Sequence, residues 1–521
     1  MTTPPLNRCA AWQPLAGLLA QAGAPAALPY RQQSIEVASI DDDSRAVGPG
    51  SCFVAVRGAR ADGHAFIAQA VAAGAVAVVA EEPVIGLPDD VACILVRDSR
   101  DVLARMAAAF HRLPAEQASG YRLVGVTGTN GKTTVSFLLR SILRSAGERP
   151  ALFGTVEYDV IRSVEPAALT TPGSLEICAR LRAARDAGAT AAIMEVSSHA
   201  LEQRRVSGLA FSGAVFTNLS GDHLDYHGSM EAYEAAKRSL FSALTPTATA
   251  VVNADDAAGA RMADAARRAG ARVRTFSLRE GADVCAEVCS SSATHTHLRI
   301  RGLATTVDVG TSLIGHHNVA NVLAAAAMAD ALQISVSDIE AGVANLSGVP
   351  GRLERVSPVD HPFHVYVDYA HTDAALENVL SVLRPLAKGR LICLFGCGGD
   401  RDRTKRPRMA QAVAAGAEVA VITSDNPRTE DPLRIIEDIL SGWPAEQGCR
   451  AVVEPDRARA IGLAIAEARE GDIVLLAGKG HEDYQIVGGQ RRAFDDRREA
   501  RAVLEARSRD GRPCPLECSA V

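Results

Sequence analysis

Aromatic side chains are scarce in this 521-residue chain, only 4% of the total, so there is little from which to build base-stacking platforms for single-stranded nucleic acid. An excess of basic charge is also missing. Against 61 Asp and Glu stand 55 Lys and Arg, a formal charge of −6, which argues against a broad nucleic-acid surface and permits only local basic pockets. Long apolar runs are absent. The best stretch, 65–80, is Ala-rich and broken by Gln69 and Gly74, well short of the roughly 20 strongly apolar residues of a membrane span. Gln13, Pro14 and Gln21 interrupt any apolar signal core, and an amphipathic helix after Pro14 is the better reading. The eleven cysteines form no framework. Cys285/Cys289, Cys393/Cys397 and Cys514/Cys518 are each four apart without histidines at zinc spacing, which predicts reduced cytosolic thiols.

What is present is globular composition, 47% hydrophobic and 22% charged, at a length that suits two to four domains. Strand and helix signals alternate. The run 122–127 precedes a Gly-rich turn, after which Val135, Leu138, Leu139, Ile142 and Leu143 fall on one helical face that Gly147 ends. Apolar runs at 191–196, 214–219 and 249–252 read as buried parallel strands, and a second series begins with 391–395, 418–423 and 472–477. This order predicts an α/β protein of three domains: a small N-terminal one over 1–118, a central one over 119–349 and a C-terminal Rossmann-like one over 350–507. A polar break at 115–120 and a hinge at Val349-Pro350-Gly351-Arg352 mark the joins, and 508–521 reads as a loose tail.

The turn after 122–127 reads Thr127-Gly128-Thr129-Asn130-Gly131-Lys132-Thr133-Thr134. Backbone N–H groups of such a loop, at a helix N-terminus, attract phosphate oxygens. Lys132 would neutralise the outer phosphates of a nucleotide and Thr133 would offer its hydroxyl to Mg²⁺. The usual pattern has glycine where Val126 stands, leaving Gly128 and Gly131 to allow the close approach. Taken alone, this loop suits a ligase, a switch GTPase or a transport ATPase. Glu195 closes the run 191–196, and a strand-end carboxylate beside a phosphate loop is well placed to hold Mg²⁺. In the second series, Arg401 and Asp425-Asn426-Pro427-Arg428 follow two strands, and Gly478-Lys479-Gly480-His481-Glu482 follows a third. These loops are expected to meet at one carboxyl sheet edge, where Arg401 and Arg428 suit carboxylates and Glu482 suits an ammonium group.

The word GTNGKTT resembles the ATP loop of the Mur ligase family, which joins amino acids to cell-wall precursors. Further words in chain order carry the resemblance over about 40–505: TNL…DHLDYHG at 217–228, GHHNVAN at 315–321, PGR at 350–352 and DYAH at 368–371. It implies ATP and Mg²⁺, with His223 as a second-metal ligand and Lys237 carbamylated by CO₂ into a further anionic ligand. It places Asn318, Arg352 and His371 at the nucleotide. Ser44 and Ala59-Arg60-Ala61 would line a uridine pocket, and Thr170, Thr171, Ser197, Gln203 and Arg205 would hold a muramyl dipeptide. The DNPR word matches the branch that selects meso-2,6-diaminopimelate, whose distal carboxylate suits Arg428. The implied acceptor is UDP-N-acetylmuramoyl-L-alanyl-D-glutamate, activated as an acyl phosphate by a monomeric cytoplasmic enzyme. Asp373-Ala374 departs from the family's Pro-Asp. Three other readings remain: a lysine-adding ligase of the same family, a P-loop switch or transport ATPase, and a non-catalytic UDP-sugar-binding protein. The second leaves the C-terminal loops idle, and the third makes the metal set redundant.

Overall fold

A computed structural model describes residues 8–25, 28–58, 61–113, 120–444 and 448–510; Ala59, Arg60, Cys514, Cys518, the break at 115–119 and the tail from 511 lie outside them. The fold is α/β throughout. The N-terminal sheet runs β1 (Arg8–Pro14), β2 (Glu36–Asp41), β3 (Ser51–Val54), β4 (Ala75–Ala80) and β5 (Ala92–Leu95) in spatial as in chain order, parallel from β2 onward. The helix Leu15–Gln21 follows Pro14, buries Leu15, Leu18 and Leu19, and with Ser99–Phe110 packs on one face of the sheet.

The middle sheet is built from β6 (Arg122–Thr127), β7 (Pro150–Phe153), β8 (Glu157–Asp159), β9 (Val164–Pro166), β10 (Ala191–Glu195), β11 (Gly213–Phe216), β12 (Thr249–Asn253) and β13 (Arg272–Ser277). Its order is β13-β12-β11-β6-β10-β7-β8-β9, parallel except for β8 and β9. Strand β6 therefore lies between two strands that come later in the chain, and its carboxyl end opens where the connections diverge, the position at which α/β sheets bind ligands. The helix Lys132–Ser145 that follows buries Val135, Leu138, Leu139, Ile142 and Leu143 completely, and Gly147 turns the chain out of it at φ +77°. The run 214–219 is strand only to Phe216. Thr217 N still donates to the Thr127 carbonyl at 3.0 Å, while the side chains of Thr217 and Asn218 fasten the phosphate loop, as described below.

After β14 (Val284–Ser291), β15 (Thr296–Arg301) pairs antiparallel with β16 (Val307–Thr311). The C-terminal sheet contains β17 (Glu354–Arg355), β18 (His364–Asp368), β19 (Leu391–Phe395), β20 (Val419–Ile422), β21 (Arg450–Val453) and β22 (Ile473–Ala477), ordered β17-β18-β22-β19-β20-β21 and parallel beyond β17. A hairpin, β23 (Tyr484–Val487) and β24 (Gln490–Ala493), precedes the helix Asp496–Asp510, which continues past 507. Contacts divide the chain into two compact units. One comprises everything through Cys285 with Arg301–Thr306 and Ala320–Gly342; the other comprises Ala286–Ile300, Val307–Val319 and the chain from Val343 on. Val349-Pro350-Gly351-Arg352 is a tight turn in which Val349 bridges Arg352; Gly351 has φ +64°, and a Cβ there would lie 2.1 Å from the His481 nitrogen. Among the described residues no helix is long and apolar enough to cross a membrane, and Cys52, Cys93, Cys178, Cys285, Cys289, Cys393, Cys397 and Cys449 are free thiols.

Candidate active site

The phosphate loop is shaped by two glycines. Gly128 has φ +148° and Gly131 φ +85°; a Cβ would meet the Thr217 hydroxyl at 1.9 Å from the first and the Asn321 amide oxygen at 2.4 Å from the second. Val126, where the usual pattern has glycine, is a strand residue in register with Glu195 and Val215, so the tight backbone starts two residues later. The loop is laced to the end of β11: Thr129 N donates to the Asn218 carbonyl at 2.8 Å, Asn130 N to the Asn218 side chain at 3.0 Å, and the Thr217 hydroxyl to the Asn130 carbonyl at 2.5 Å. Lys132 curls back, its ammonium donating to the carbonyls of Gly128 and Thr129, both at 2.9 Å. Thr127 and Thr134 are buried, and the Thr127 hydroxyl has no hydrogen-bond partner.

Glu195 ends β10 next to this loop and is buried. Its carboxylate accepts from the Thr133 hydroxyl at 3.0 Å, the Thr155 hydroxyl at 2.9 Å and Thr155 N at 2.8 Å. Thr155, just after β7, was not singled out in the sequence; the Gly154-Thr155 pair is its only local mark. A Cβ on Gly154 would come within 2.2 Å of the carboxylate, so glycine here lets the acid in. Hydrogen bonds to a charged acceptor are worth about 1.5–3 kcal/mol each. Thr155→Val, which keeps the N–H and the shape, is therefore expected to shift the calorimetric melting of this domain downward, by roughly the loss of one such bond.

Lys237 is buried on the inner face of the helix Met230–Ser242, donating to the Gly128 carbonyl at 2.9 Å and lying 4.3 Å from the Tyr233 ring centre. The same carbonyl receives Lys132. Burial, and then the neighbouring Lys132 charge, hold the Lys237 amine well below the usual lysine range. Tyr233 completes the cluster through the Thr129 hydroxyl at 3.1 Å. His223, half-exposed at φ +54°, packs its ring 6.3 Å from Tyr233 and 4.8 Å from His199. Burial and the charges of His223 and His227 push His199 down to about 4. Among the described residues no set of three His, Cys, Asp or Glu side chains surrounds a metal position.

A second polar line leads away from Glu195. Its carbonyl accepts from the Thr171 hydroxyl at 2.8 Å, which in turn accepts from Ser197 N at 3.0 Å; Thr170 contacts Thr155 at 3.1 Å. Arg205 donates to the Thr171 carbonyl at 2.6 Å and to Gln203 at 2.7 Å, and Gln203 reaches the Tyr226 hydroxyl at 2.8 Å. Beside them is a polar cavity of about 360 Å³ lined by Arg57, Glu81, Asp98, Arg100, Glu202 and Arg204. Ser44, after β2, donates to Gln69 at 3.2 Å.

In the other unit, the three loops expected at one sheet edge are together. Asn426 donates to Glu482 at 2.8 Å and accepts from Ile486 N at 2.9 Å; a Cβ on Gly478 would lie 2.6 Å from the Asp425 carboxylate. Pro427 is buried. Arg428, at φ +53°, exchanges backbone hydrogen bonds with Ile486 and Gly488 and donates its guanidinium to the Gly399 carbonyl at 2.8 Å. Arg401 is exposed and packs near Gly398. Glu482 already receives an ammonium group, from buried Lys479 at 3.2 Å, which also reaches Asn426 at 3.3 Å. Arg352 stacks 4.8 Å above Tyr369; Asp368 accepts from Leu353 N and Ala370 N, and burial pushes its carboxyl up. The His371 carbonyl accepts from Lys405 at 3.0 Å, and Asn318 is buried, donating to the Ile314 carbonyl at 2.9 Å. The Asp373-Ala374 departure falls in a helix: Thr372 caps it and Asp373 pairs with Arg408 at 3.0 Å.

Three domain descriptions match the sequence in order: "Mur ligase family, catalytic domain" over 36–111, "Mur ligase middle domain" over 126–329 and "Mur ligase, glutamate ligase domain" over 351–480. The chain is similar to the UDP-N-acetylmuramoyl-L-alanyl-D-glutamate–2,6-diaminopimelate ligase of Gloeobacter violaceus, 46% identical over 482 residues, covering 92% of this chain and 96% of that one. The enzyme of the same name from Synechococcus elongatus is 46% identical over 480 residues, 91% and 95% of the two chains. A solved structure of such a ligase superposes with a TM-score of 0.67 at 36% identity, over 90% of this chain and 95% of that one. The MurF ligase of Thermotoga maritima in complex with ADP gives 0.55 at 20% identity, over 89% and 96%, a likeness of fold.

Proposed function

The chain belongs to the Mur ligase family, and from that premise we propose that it adds meso-2,6-diaminopimelate to the D-glutamyl carboxylate of UDP-N-acetylmuramoyl-L-alanyl-D-glutamate, with cleavage of ATP to ADP and phosphate, in peptidoglycan precursor synthesis. The carrying observation is Arg428, its guanidinium fixed on the Gly399 carbonyl, two residues after the Asn426 that holds Glu482, in a chain that is 46% identical, nearly end to end, to enzymes named for this reaction. Its setting in this reading is the cytoplasm, as a monomer.

Carboxylate is a poor electrophile and an ammonium group is no nucleophile, so activation and placement supply the rate. The loop Thr127–Thr134 cradles the ATP phosphates with backbone N–H groups, and the glycines at 128 and 131 leave the space that a Cβ would fill. Lys132 swings from the Gly128 and Thr129 carbonyls onto the transferring phosphoryl group and neutralises its charge. The oxygens of Thr133 and Glu195 suit a hard divalent cation, and with so few protein ligands such an ion would take the rest from phosphate and water. Mg²⁺ held there supplies charge neutralisation and phosphate alignment. A second ion would rest on His223 and carbamylated Lys237. Carbamylation joins the neutral amine to CO₂ through a new N–C bond and releases one proton. Thr170, Thr171, Ser197, Gln203 and Arg205 present the acceptor, Ser44 its uridine, and Asn318, Arg352 and His371 the nucleotide. Phosphoryl transfer to the D-glutamyl oxygen gives an acyl phosphate, which the diaminopimelate amine attacks with loss of phosphate. Arg401, Arg428, Asp425, Asn426, Pro427, Gly478 and Glu482 orient that amine.

The test is ADP release with ATP, Mg²⁺ and the UDP-muramyl dipeptide, adding meso-diaminopimelate, lysine or ornithine separately. Release that depends on the dipeptide and is fastest with diaminopimelate is the expected result. Equal release without any amino acid sinks the reading.

A further inference from the structure

Two of the three amino-acid loops rest on a buried ion pair that no substrate is proposed to touch. Arg457 opens the helix Arg457–Glu467 and Asp496 opens Asp496–Asp510, and both side chains are sealed from solvent. The guanidinium meets the Asp496 carboxylate with two hydrogen bonds, Nε at 2.8 Å and Nη2 at 2.6 Å. Its remaining donors point to the sheet: Nη1 to the Ser424 carbonyl at 3.2 Å and Nη2 to the Ala477 carbonyl at 2.9 Å. Ser424 is the residue before Asp425-Asn426-Pro427-Arg428, and Ala477 the residue before Gly478. Strands β20 and β22 are not neighbours, because β19 runs between them. One rigid, planar group thus spans the end of β19 and sets the separation at which the two flanking loops leave the sheet. At that end Gly396 has no side chain; a Cβ on it would meet the Thr423 carbonyl at 2.3 Å.

Resting on the reading above, we propose that Arg457, held in place by Asp496, is a positioning residue for the incoming amino acid, fixing the Asp425–Arg428 loop against the Gly478–Glu482 loop. A buried ion pair is poor value for stability, since desolvating both ions offsets their attraction, and apolar side chains of similar volume are often as good or better. Fold stability alone gives little reason for a charged pair here. The four-way geometry does: a lysine carries the charge but is a point donor, unable to grip a carboxylate and two separate carbonyls together.

The experiment compares the whole enzyme with Arg457→Lys and with Arg457→Met/Asp496→Leu, which removes both charges at once. Steady-state ADP release is measured while each substrate is varied, and melting is followed in parallel. The double variant is expected to melt no lower than the parent. In both variants KM for diaminopimelate should rise on the order of 10- to 100-fold, the scale of misplacing a reacting group by about 1 Å, with KM for ATP and for the UDP-dipeptide unchanged. A folded variant with an unaltered KM for diaminopimelate overturns the proposal, as does an equal rise for all three substrates. Failure of both variants to fold overturns it too, by assigning the pair to stability. If the parent itself does not use diaminopimelate, the functional reading fails instead, and the parent assay shows that independently of either variant.

Discussion

In CO₂-free buffer Lys237→Met is expected to melt no lower than the parent chain, and with bicarbonate present to lose about 10²–10³-fold in kcat, the scale of removing one preorganised electrostatic group from a transition state. The two halves of that result come from one fact. The amine is almost fully buried and shares the Gly128 carbonyl with the Lys132 ammonium, so its charged form is disfavoured first by desolvation and second by a like charge. Replacing it with an apolar side chain of similar length removes a destabilising group. The neutral amine is also the form that reacts with CO₂, and a carbamate formed there would reverse the local sign: an anion beside Lys132 would be attracted where a cation is repelled. Isotope-labelled bicarbonate followed by carbon NMR should show one protected carbamate in the parent and none in Lys237→Met. A parent enzyme that stays fully active without any bound label removes this role from Lys237.

The pH dependence has a definite sign. With the folded pKa below the unfolded value of 10.5, the native state binds fewer protons than the unfolded chain between those two values. The stability penalty of unmodified Lys237 is thus complete below its lowered pKa and fades as pH rises towards 10.5. In CO₂-free buffer the melting advantage of Lys237→Met over the parent should be largest at low pH and shrink in alkali.

Lys237 also shows how much of this site could be read in advance. Its importance entered only through family resemblance, although the chain carried a physical signal: Tyr233, Lys237, Leu240 and Phe241 are spaced as one helical face, so the lysine stands in an apolar stripe. Arg457 has the same signature with Ala460, Ile461, Ala464 and Ile465, and so does Arg406 with Met409, Ala410 and Val413. A cation in the core stripe of a helix is costly without a partner, which makes it a marker for a buried network. What the stripe cannot give is the partner. Asp496 for Arg457, and Glu430 with Asp438 for Arg406, are supplied by other elements of the fold. Thr155 is hidden for the same reason, since it meets Glu195 only when β7 and β10 pair. The phosphate loop was legible because its chemistry is local: strand, two glycines, Lys and Thr at fixed offsets. The run 214–219 reads as strand beyond Phe216 because Thr217 and Leu219 prolong its pattern, and only the loop that Thr217 and Asn218 fasten shows why the strand stops. The three C-terminal loops were legible as a group because parallel strands send their carboxyl ends to one edge.

Arg428→Ala is expected to lower the preference for diaminopimelate over lysine by about 10²–10⁴-fold, the loss of two charge-assisted hydrogen bonds of roughly 1.5–3 kcal/mol each. The guanidinium is held in advance. One nitrogen donates to the Gly399 carbonyl, and Gly398 leaves room beneath it, since a Cβ there would lie 2.8 Å from that nitrogen. The backbone is tied on both sides, Arg428 N to the Ile486 carbonyl and Gly488 N to the Arg428 carbonyl. A fixed cation with donors to spare suits the distal carboxylate of diaminopimelate, whereas lysine offers nothing to accept them and leaves the charge desolvated without a partner. The loss should therefore divide unequally: KM for diaminopimelate rises steeply, while lysine, no longer facing an unpaired cation, is used as well as before or better. Arg428→Gly separates side chain from backbone, because glycine also relieves the positive φ of +53°. Equal loss of selectivity in the Ala and Gly variants assigns it to the guanidinium, measured as the ratio of kcat/KM for the two amino acids. A ratio that survives both substitutions would place recognition of the second carboxylate on another residue, of which Arg401, exposed beside Gly398, is the next to replace.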